Sequence, residues 1–146
     1  MRIVLIRLSA VGDIVHTWPL AAAIRSARPQ AHLSWVVEEA LAPLVEGHPA
    51  VDAVLTVATG RWRKQPFAAR TRAEVATFKG RVQELQPNLS IDAQGTLKSS
   101  LITRWCRAPR RVGLARPWRR EALAGLVYTE TLPGNSSRRH VIATNL

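Results

Sequence analysis

The chain has 146 residues, 47% of them hydrophobic and 21% charged, which fits one globular domain and excludes a chain disordered throughout. It lacks the roughly 18 uninterrupted apolar residues of a membrane-spanning helix, and a single cysteine, Cys106, excludes a disulfide within the chain. The net charge of +11 favours polyanionic partners such as nucleic acid, an anionic membrane or phosphorylated sugars, although a generally basic surface explains it equally well.

Short apolar runs alternate with segments of helical spacing along the chain. The first run, residues 3–8, lacks a signal-peptide cleavage pattern, so we interpret it as a buried strand of a cytoplasmic protein. Further strands are predicted at 32–37, 51–57, 89–93 and 111–114, helices at 14–28, 38–46, 71–85, 97–106 and 118–126, and a basic loop at 59–66. This order predicts an α/β fold with a parallel sheet and helices on both faces.

The loop after the first predicted strand contains Asp13 at the start of a helix. Ligands of parallel sheets bind beyond the carboxyl ends of the strands, so this loop is a candidate site. Asp13 is either a helix N-cap or a carboxylate placed to accept a proton. His16 lies three residues further along, and we interpret it as a helix-face histidine bonded to backbone or water. Gly12 stands alone, so neither a dinucleotide fingerprint nor a P-loop is present.

Residues 92–98 form a second candidate loop, after the fourth predicted strand. Gly95 permits a close approach of backbone or ligand, and Lys98 is placed to meet an anion. By itself the pattern favours a tight strand-to-helix turn in which Asp92 bonds to the backbone. Histidine and cysteine do not occur at metal-ligand spacing, so a metal site is not expected.

Two further segments concentrate basic residues. Residues 61–64 read Arg-Trp-Arg-Lys and suit either phosphate and carboxylate binding or a solvated loop. Residues 104–120 hold seven arginines and no acid, which fits a nucleic-acid face or a rim that binds other anions.

Taken together, these segments resemble the lipopolysaccharide heptosyltransferases of glycosyltransferase family 9. The residues that carry the resemblance are R-I-V-L-I-R-L-S-A-V-G-D-I-V-H-T at 2–17, W-V-V-E-E at 35–39, R-W-R-K at 61–64, I-D-A-Q-G at 91–95 and K-S at 98–99. The first segment is shared across the family, and the second and third point to the enzymes that add the first heptose. The resemblance runs from residue 1 to about residue 130.

The resemblance implies a GT-B fold of two Rossmann-like domains and an inverting transfer of heptose from ADP-heptose to Kdo of lipid A. Residues 1–133 would form the acceptor-binding domain and residues 134–146 a mobile start of the interdomain segment. The donor domain is expected to be absent, and with it most of the ADP-heptose site, so this chain alone is expected to be inactive. Asp13 would be the general base, and neither a cofactor nor a metal ion is implied.

The same resemblance suggests the residues that bind the acceptor. They are Ser9, Gly12, His16, Arg61, Arg63, Lys64, Gln94, Gly95, Lys98 and Arg120. The expected partners are anionic Kdo-lipid A and the inner membrane surface, with a cytoplasmic, peripheral location and self-association through the open cleft face. The alternative is a small basic nucleic-acid-binding module without catalysis; a carboxylate inside a cationic rim speaks against it. A dinucleotide-binding oxidoreductase domain is disfavoured because this chain lacks the glycines of the dinucleotide fingerprint.

Overall fold

The computed structural model describes residues 1–116 and 118–132. Within these residues the centre is a six-stranded sheet whose neighbouring strands all run parallel. The strands are β1 (Arg2–Ile6), β2 (His32–Glu38), β3 (Ala53–Val57), β4 (Leu89–Asp92), β5 (Arg110–Leu114) and β6 (Glu130–Leu132). Their order is β3-β2-β1-β4-β5-β6, so β1 and β4 are adjacent. The loops that follow them are therefore neighbours at the carboxyl ends of the strands, which we call the carboxyl edge of the sheet.

Helices connect most of these strands. The α-helices are α1 (Val11–Ala27), α2 (Thr59–Lys64), α3 (Ala69–Glu84) and α4 (Leu97–Trp105), and two 3₁₀ helices span Glu39–Leu44 and Ala122–Val127. Pro19 lies inside α1, which continues through it. The first 3₁₀ helix replaces the predicted helix at 38–46.

The sheet separates two apolar cores. Leu5 and Trp35 point to one face, where they pack with Ile14 of α1. Ile6 on the other face packs with Phe78 of α3 and with residues of α4. Neighbouring residues of β1 are therefore buried on opposite faces, which explains why its sequence is a continuous apolar run. The predicted parallel sheet with helices on both faces is confirmed.

Besides the helix predicted at 38–46, two predicted elements differ from the structure, and one strand was not predicted. The basic loop predicted at 59–66 is largely helical, because α2 covers six of these residues. The helix predicted at 118–126 is wrong at its start, since only residues 122–127 are helical and they form a 3₁₀ helix. The strand β6 was not predicted; it is three exposed residues long and pairs with β5. The predicted interdomain segment, 134–146, lies outside the described residues.

In the described part of the chain, none of the helices combines the length and apolar character needed to cross a membrane.

Gly113 of β5 allows an aromatic ring to lie across the sheet. Tyr128 follows the second 3₁₀ helix, and its hydroxyl donates to Asp92 Oδ2, 2.7 Å away at the end of β4. A Cβ atom at Gly113 would overlap with the ring of Tyr128. The glycine is therefore needed for Tyr128 to reach Asp92 across β5.

We expect Gly113→Ala to displace the Tyr128 ring and break its hydrogen bond to Asp92. The loss should be about 1.5–3 kcal/mol of unfolding free energy, the range for hydrogen bonds to charged groups, measured by urea denaturation. Gly80→Ala is the matched control, because Gly80 lies inside α3 with nothing within 4 Å of an added Cβ. It should stabilise the chain by about 0.5–1 kcal/mol.

A double-mutant cycle separates ring overlap from backbone strain at residue 113. With Tyr128→Ala already in place, Gly113→Ala should cost little, because the ring that it displaces is gone. An equal cost in both backgrounds would contradict this account of Gly113.

Candidate functional site

The loops that follow β1 and β4 are joined by one amide side chain. Gln94 Oε1 accepts hydrogen bonds from the backbone N–H groups of Leu8, at 2.9 Å, and Ser9, at 3.4 Å. Its Nε2 donates to Thr96 Oγ1 at 3.2 Å. Gln94 is itself buried, so these bonds hold the two loops together at the carboxyl edge of the sheet.

Asp13 lies in the first turn of α1, at this same edge. The helix begins at Val11 with Ala10 as its N-cap, so the alternative that made Asp13 the N-cap is wrong. The Asp13 carboxylate instead accepts from the Ala10 backbone N–H at 3.5 Å. A carboxylate here also interacts favourably with the positive end of the helix dipole.

Two arginines hold the Asp13 carboxylate from opposite directions. Arg7 Nη2 lies 3.0 Å from Oδ1, and Arg120 Nη2 lies 2.8 Å from Oδ2. Burial by itself would raise the pKa of Asp13, but the charges of Arg7 and Arg120, with the hydrogen bonds from Ala10 and Arg120, outweigh it and lower the pKa. Asp13 is therefore ionised at neutral pH and able to accept a proton.

Arg7 was not singled out from the sequence. It follows β1 directly, its side chain is only 6% exposed, and its Nη1 donates to the carbonyl oxygen of Ala93. Burial lowers the pKa of Arg7, while Asp13 opposes that effect. Its Nε is buried without a hydrogen-bond partner. A charged residue at the end of a buried apolar strand is the signal that could have indicated it.

Asp92 organises the loop that follows β4. This buried carboxylate accepts from the backbone N–H groups of Gln94 and Gly95, each at 2.9 Å, and from Ser99 Oγ at 2.9 Å. These bonds confirm the tight strand-to-helix turn predicted for residues 92–98. Burial raises the pKa of Asp92, against the lowering effect of the bonds that it accepts.

The segment around residue 120 packs against this turn at Gly95. Its φ of +73° lies in the left-handed region, and a Cβ there would lie 3.2 Å from Arg119 Cγ. The carbonyl oxygen of Gly95 accepts from the backbone N–H of Glu121 at 3.0 Å. The close approach predicted for Gly95 is thus made by backbone, and it places Arg120 beside Asp13.

The basic residues 61–64 belong to α2, which follows β3. In the sheet, β2 lies between β3 and β1. Arg61 is bound by Glu39 at 2.6 Å and by Glu74 at 2.8 Å. Glu74 also accepts from Trp62 Nε1 at 2.7 Å and from Arg70 Nε at 2.8 Å. The hydrogen bonds from Trp62, Arg70 and Arg61 lower the pKa of Glu74 to about 2.

These contacts line a cleft of about 450 Å³ beside the end of β3. Arg61, Arg70 and Arg81 contribute three positive charges to it, and Glu39 and Glu74 two negative ones. An anion that enters the cleft competes with carboxylates for Arg61. Trp62 is half-buried against Phe78, with ring centroids 6.3 Å apart, so only part of its ring is accessible.

No protein-family model matches the chain. The lipopolysaccharide heptosyltransferase 1 of Pseudomonas aeruginosa is 40% identical over 133 residues, which cover 91% of this chain and 38% of that protein. The Salmonella typhimurium protein of the same name is 38% identical over 144 residues, 98% of this chain and 43% of that protein.

A solved structure agrees in fold as well as in sequence. The E. coli heptosyltransferase WaaC, solved with ADP, superposes with a TM-score of 0.91 at 34% identity over 99% of this chain and 45% of that chain. The chain therefore belongs to the lipopolysaccharide heptosyltransferase family. It spans about two fifths of the length of the curated relatives. The E. coli heptosyltransferase II structure, at 22% identity and a TM-score of 0.62, supports the fold alone.

In this member of the family, the predicted site residues fall into two groups. Those at the β1–β4 edge are Ser9, Gly12, Asp13, His16, Gln94, Gly95, Lys98 and Arg120, and those on α2 are Arg61, Arg63 and Lys64. Direct contacts link Asp13 to Arg120 and Ser9 to Gln94. His16 is half-buried on α1, whereas Lys98 on α4 and the α2 residues 63 and 64 are exposed.

Among the residues that the structure describes, His, Cys, Asp and Glu form no group of three or more able to hold a metal ion. Cys106 is buried, and burial raises the pKa of its thiol to about 12. A thiol with that pKa is not a nucleophile at neutral pH.

We expect Arg120→Ala to raise the pKa of Asp13, because it removes one of the two charges that lower it. The measurement is a carboxyl-detected NMR titration of the labelled chain. Arg63→Ala removes the same charge from α2 and should leave the pKa of Asp13 close to its wild-type value. An unchanged pKa in Arg120→Ala would contradict the ion pair.

The same variant changes how stability depends on pH. A lowered pKa in the folded state stabilises the chain above the ordinary pKa of Asp, and this stabilisation is lost as the pH falls through the folded value. Arg120→Ala should therefore unfold more easily at neutral pH, by less than about 1 kcal/mol for so exposed a pair. The difference should disappear in strong acid.

Proposed function

We propose that the chain is the acceptor-binding part of an inverting heptosyltransferase that moves heptose from ADP-heptose to Kdo of lipid A. The observation that carries the proposal is an ionised Asp13 held between two arginines at the carboxyl edge of the sheet. Identity of 37–40% to curated lipopolysaccharide heptosyltransferases over 91–98% of the chain supports it.

In the proposed reaction Asp13 is the general base. Its carboxylate takes the proton of a Kdo hydroxyl while that oxygen attacks the anomeric carbon of the heptose. The bond from that carbon to ADP breaks on the opposite face, so the configuration inverts and ADP leaves with the bonding electrons. The lowered pKa of Asp13 makes it a weaker base but keeps it ionised before the reaction.

Proton transfer requires one of the Asp13 ion pairs to open. Arg7 is buried and fixed by Ala93, whereas the Arg120 side chain is 56% exposed. Arg120 is therefore the partner that moves. A Kdo carboxylate offers it another anion, and pairing with that carboxylate would free Asp13 Oδ2 and hold the acceptor beside the base.

The cations of α2 would bind further negative groups of the acceptor. Arg63 and Lys64 are exposed, and Arg61 can exchange its two glutamates for a ligand carboxylate or phosphate. An acceptor embedded in an anionic membrane also suits the net charge of +11. The proposed location is thus the cytoplasmic surface of the inner membrane. ADP-heptose would be bound mainly by the part of the relatives that this chain does not span.

We expect soluble, de-acylated Kdo-lipid A to bind saturably and Arg61→Ala/Lys64→Ala to weaken binding by roughly tenfold or more, as lost charge-assisted hydrogen bonds do. Isothermal titration at two salt concentrations measures it. Glu74→Gln should tighten binding, because it weakens the carboxylate that competes for Arg61. Glu84→Gln makes the same charge change elsewhere on α3 and should have little effect.

The matched control for the double variant is Arg2→Ala/Arg28→Ala, which removes two charges near the amino edge of the sheet. If both double variants weaken binding equally, the α2 cations have no specific role. Tight DNA binding that falls steeply with salt and is not displaced by the Kdo ligand would instead support the nucleic-acid module.

Asp13 is tested in a chain fused to the remaining part of the P. aeruginosa relative. Asp13→Asn should lower kcat for heptose transfer by about 10²–10⁴-fold, the usual contribution of a general base. Acceptor binding should persist, because the arginines remain. Asp52→Asn, the same change near the amino edge, should leave kcat unchanged, and an active Asp13→Asn fusion would eliminate Asp13 as the base.

A further inference from the structure

Exposed apolar side chains concentrate on one side of the molecule. Of the eight large apolar residues that are exposed in the described part of the chain, four lie on α4 or on the second 3₁₀ helix, and a fifth, Phe67, follows Pro66, which lines a groove together with α4. They are Phe67 at 88%, Leu97 and Leu101 at 49%, Leu123 at 62% and Leu126 at 83% exposure. Leu97 and Leu101 belong to α4, and the second 3₁₀ helix, which carries Leu123 and Leu126, packs against α4.

A groove connects α4 to the segment around Phe67. Its volume is about 280 Å³, and its walls include Trp62, Pro66, Leu101 and Trp105. Phe67 follows Pro66 directly in the loop between α2 and α3. We call Phe67, the groove and the exposed leucines of α4 the apolar patch. Scattered exposed apolar residues need no explanation, but a set grouped around one groove is typical of an interaction site.

Four cations lie beside the apolar patch. Lys98 lines the groove, Arg104 lies on α4, and Arg63 and Lys64 end α2; all four are exposed. Neither α2 nor α4 contains an acidic residue, although Glu74 contacts α2 at Trp62 and Glu121 contacts α4 at the backbone N–H of Leu97. An apolar centre with a cationic border, and with two half-buried tryptophans at the boundary, matches an interface between hydrocarbon and anionic headgroups.

We propose that the apolar patch inserts into the surface of an anionic lipid bilayer, with Phe67 and Leu101 entering the hydrocarbon and Lys98 and Arg104 binding headgroups. This proposal rests on the proposed function only in its choice of a membrane as the partner. Since α4 begins at the carboxyl edge of the sheet, insertion there holds the loop of Asp13 close to the bilayer surface. An acceptor lipid would then meet the site without leaving its membrane.

Vesicle co-sedimentation of the chain tests the proposal. Vesicles of phosphatidylethanolamine and phosphatidylglycerol should bind the chain, and vesicles of phosphatidylcholine alone should bind it far more weakly. Phe67→Ser/Leu101→Ser should weaken binding to the anionic vesicles by roughly tenfold or more, because both side chains would leave the hydrocarbon. Leu132→Ser, at a side chain 47% exposed on β6, is the matched apolar control and should bind normally.

The charge contribution is tested with Lys98→Ala/Arg104→Ala against Arg2→Ala/Arg28→Ala. The first pair should reduce binding more than the second, although both remove two charges. Unchanged melting temperatures would show that the variants fold, since every substituted side chain is at the surface.

Three results would overturn the proposal. They are no binding of the wild-type chain to anionic vesicles, equal binding of Phe67→Ser/Leu101→Ser and wild type, or a dimer in solution that only this serine variant dissociates, which would make a second copy the occupant. The vesicles carry no acceptor sugar and the acceptor titration contains no bilayer. Failure of the membrane interface is therefore distinguishable from failure of the proposed function.

Discussion

The position of the Asp13 carboxylate depends on a second carboxylate, that of Asp92, which is buried at the end of a neighbouring strand. Asp92 accepts hydrogen bonds from the backbone N–H groups of Gln94 and Gly95 and so stabilises the turn after β4. Gln94 then holds the loop that leads to Asp13, and Gly95 receives the segment that carries Arg120. Hydrogen bonds inside the sheet edge therefore determine which groups surround the candidate base.

Arg7 makes Asp13 a structural residue as well as a candidate base. A buried guanidinium without a counterion is costly, so the ion pair stabilises the fold while it lowers the pKa of Asp13. In the proposed reaction Asp13 becomes neutral after it accepts the proton, and Arg7 is then left without a compensating charge. This imbalance favours release of the proton to solvent and returns Asp13 to its ionised form.

The sequence was sufficient for the parts of the fold that depend on local pattern. Apolar runs predicted the first five strands, and the Asp-x-x-Gly turn at Asp92 was interpreted correctly. The helix α2 was predicted as a loop because it has only six residues, none of them fully buried, so it lacks apolar periodicity. The strand β6 was not predicted because its three residues are exposed and its pairing with β5 is a tertiary contact.

The electrostatic contacts of the site could not be read from the sequence for a related reason. Arg61 pairs with Glu39 of the first 3₁₀ helix and with Glu74 of α3. Arg120 pairs with Asp13, which is 107 positions away in the chain. Charge composition indicated a basic rim but not which cations were already paired. Only the order of the strands brings these partners together.

This internal pairing has a consequence for selectivity. Arg61 and Arg120 are each held by carboxylates of the chain itself, so a ligand that binds either arginine must exchange with those carboxylates. A ligand with one negative group gains little from such an exchange, because one ion pair merely replaces another. A polyanion that reaches both arginines gains from holding two preorganised cations at once, since the second exchange is intramolecular. In the proposed function the site would therefore favour acceptors with several negative groups spaced to span α2 and the β1–β4 edge, as a lipid that carries Kdo sugars and phosphates would have.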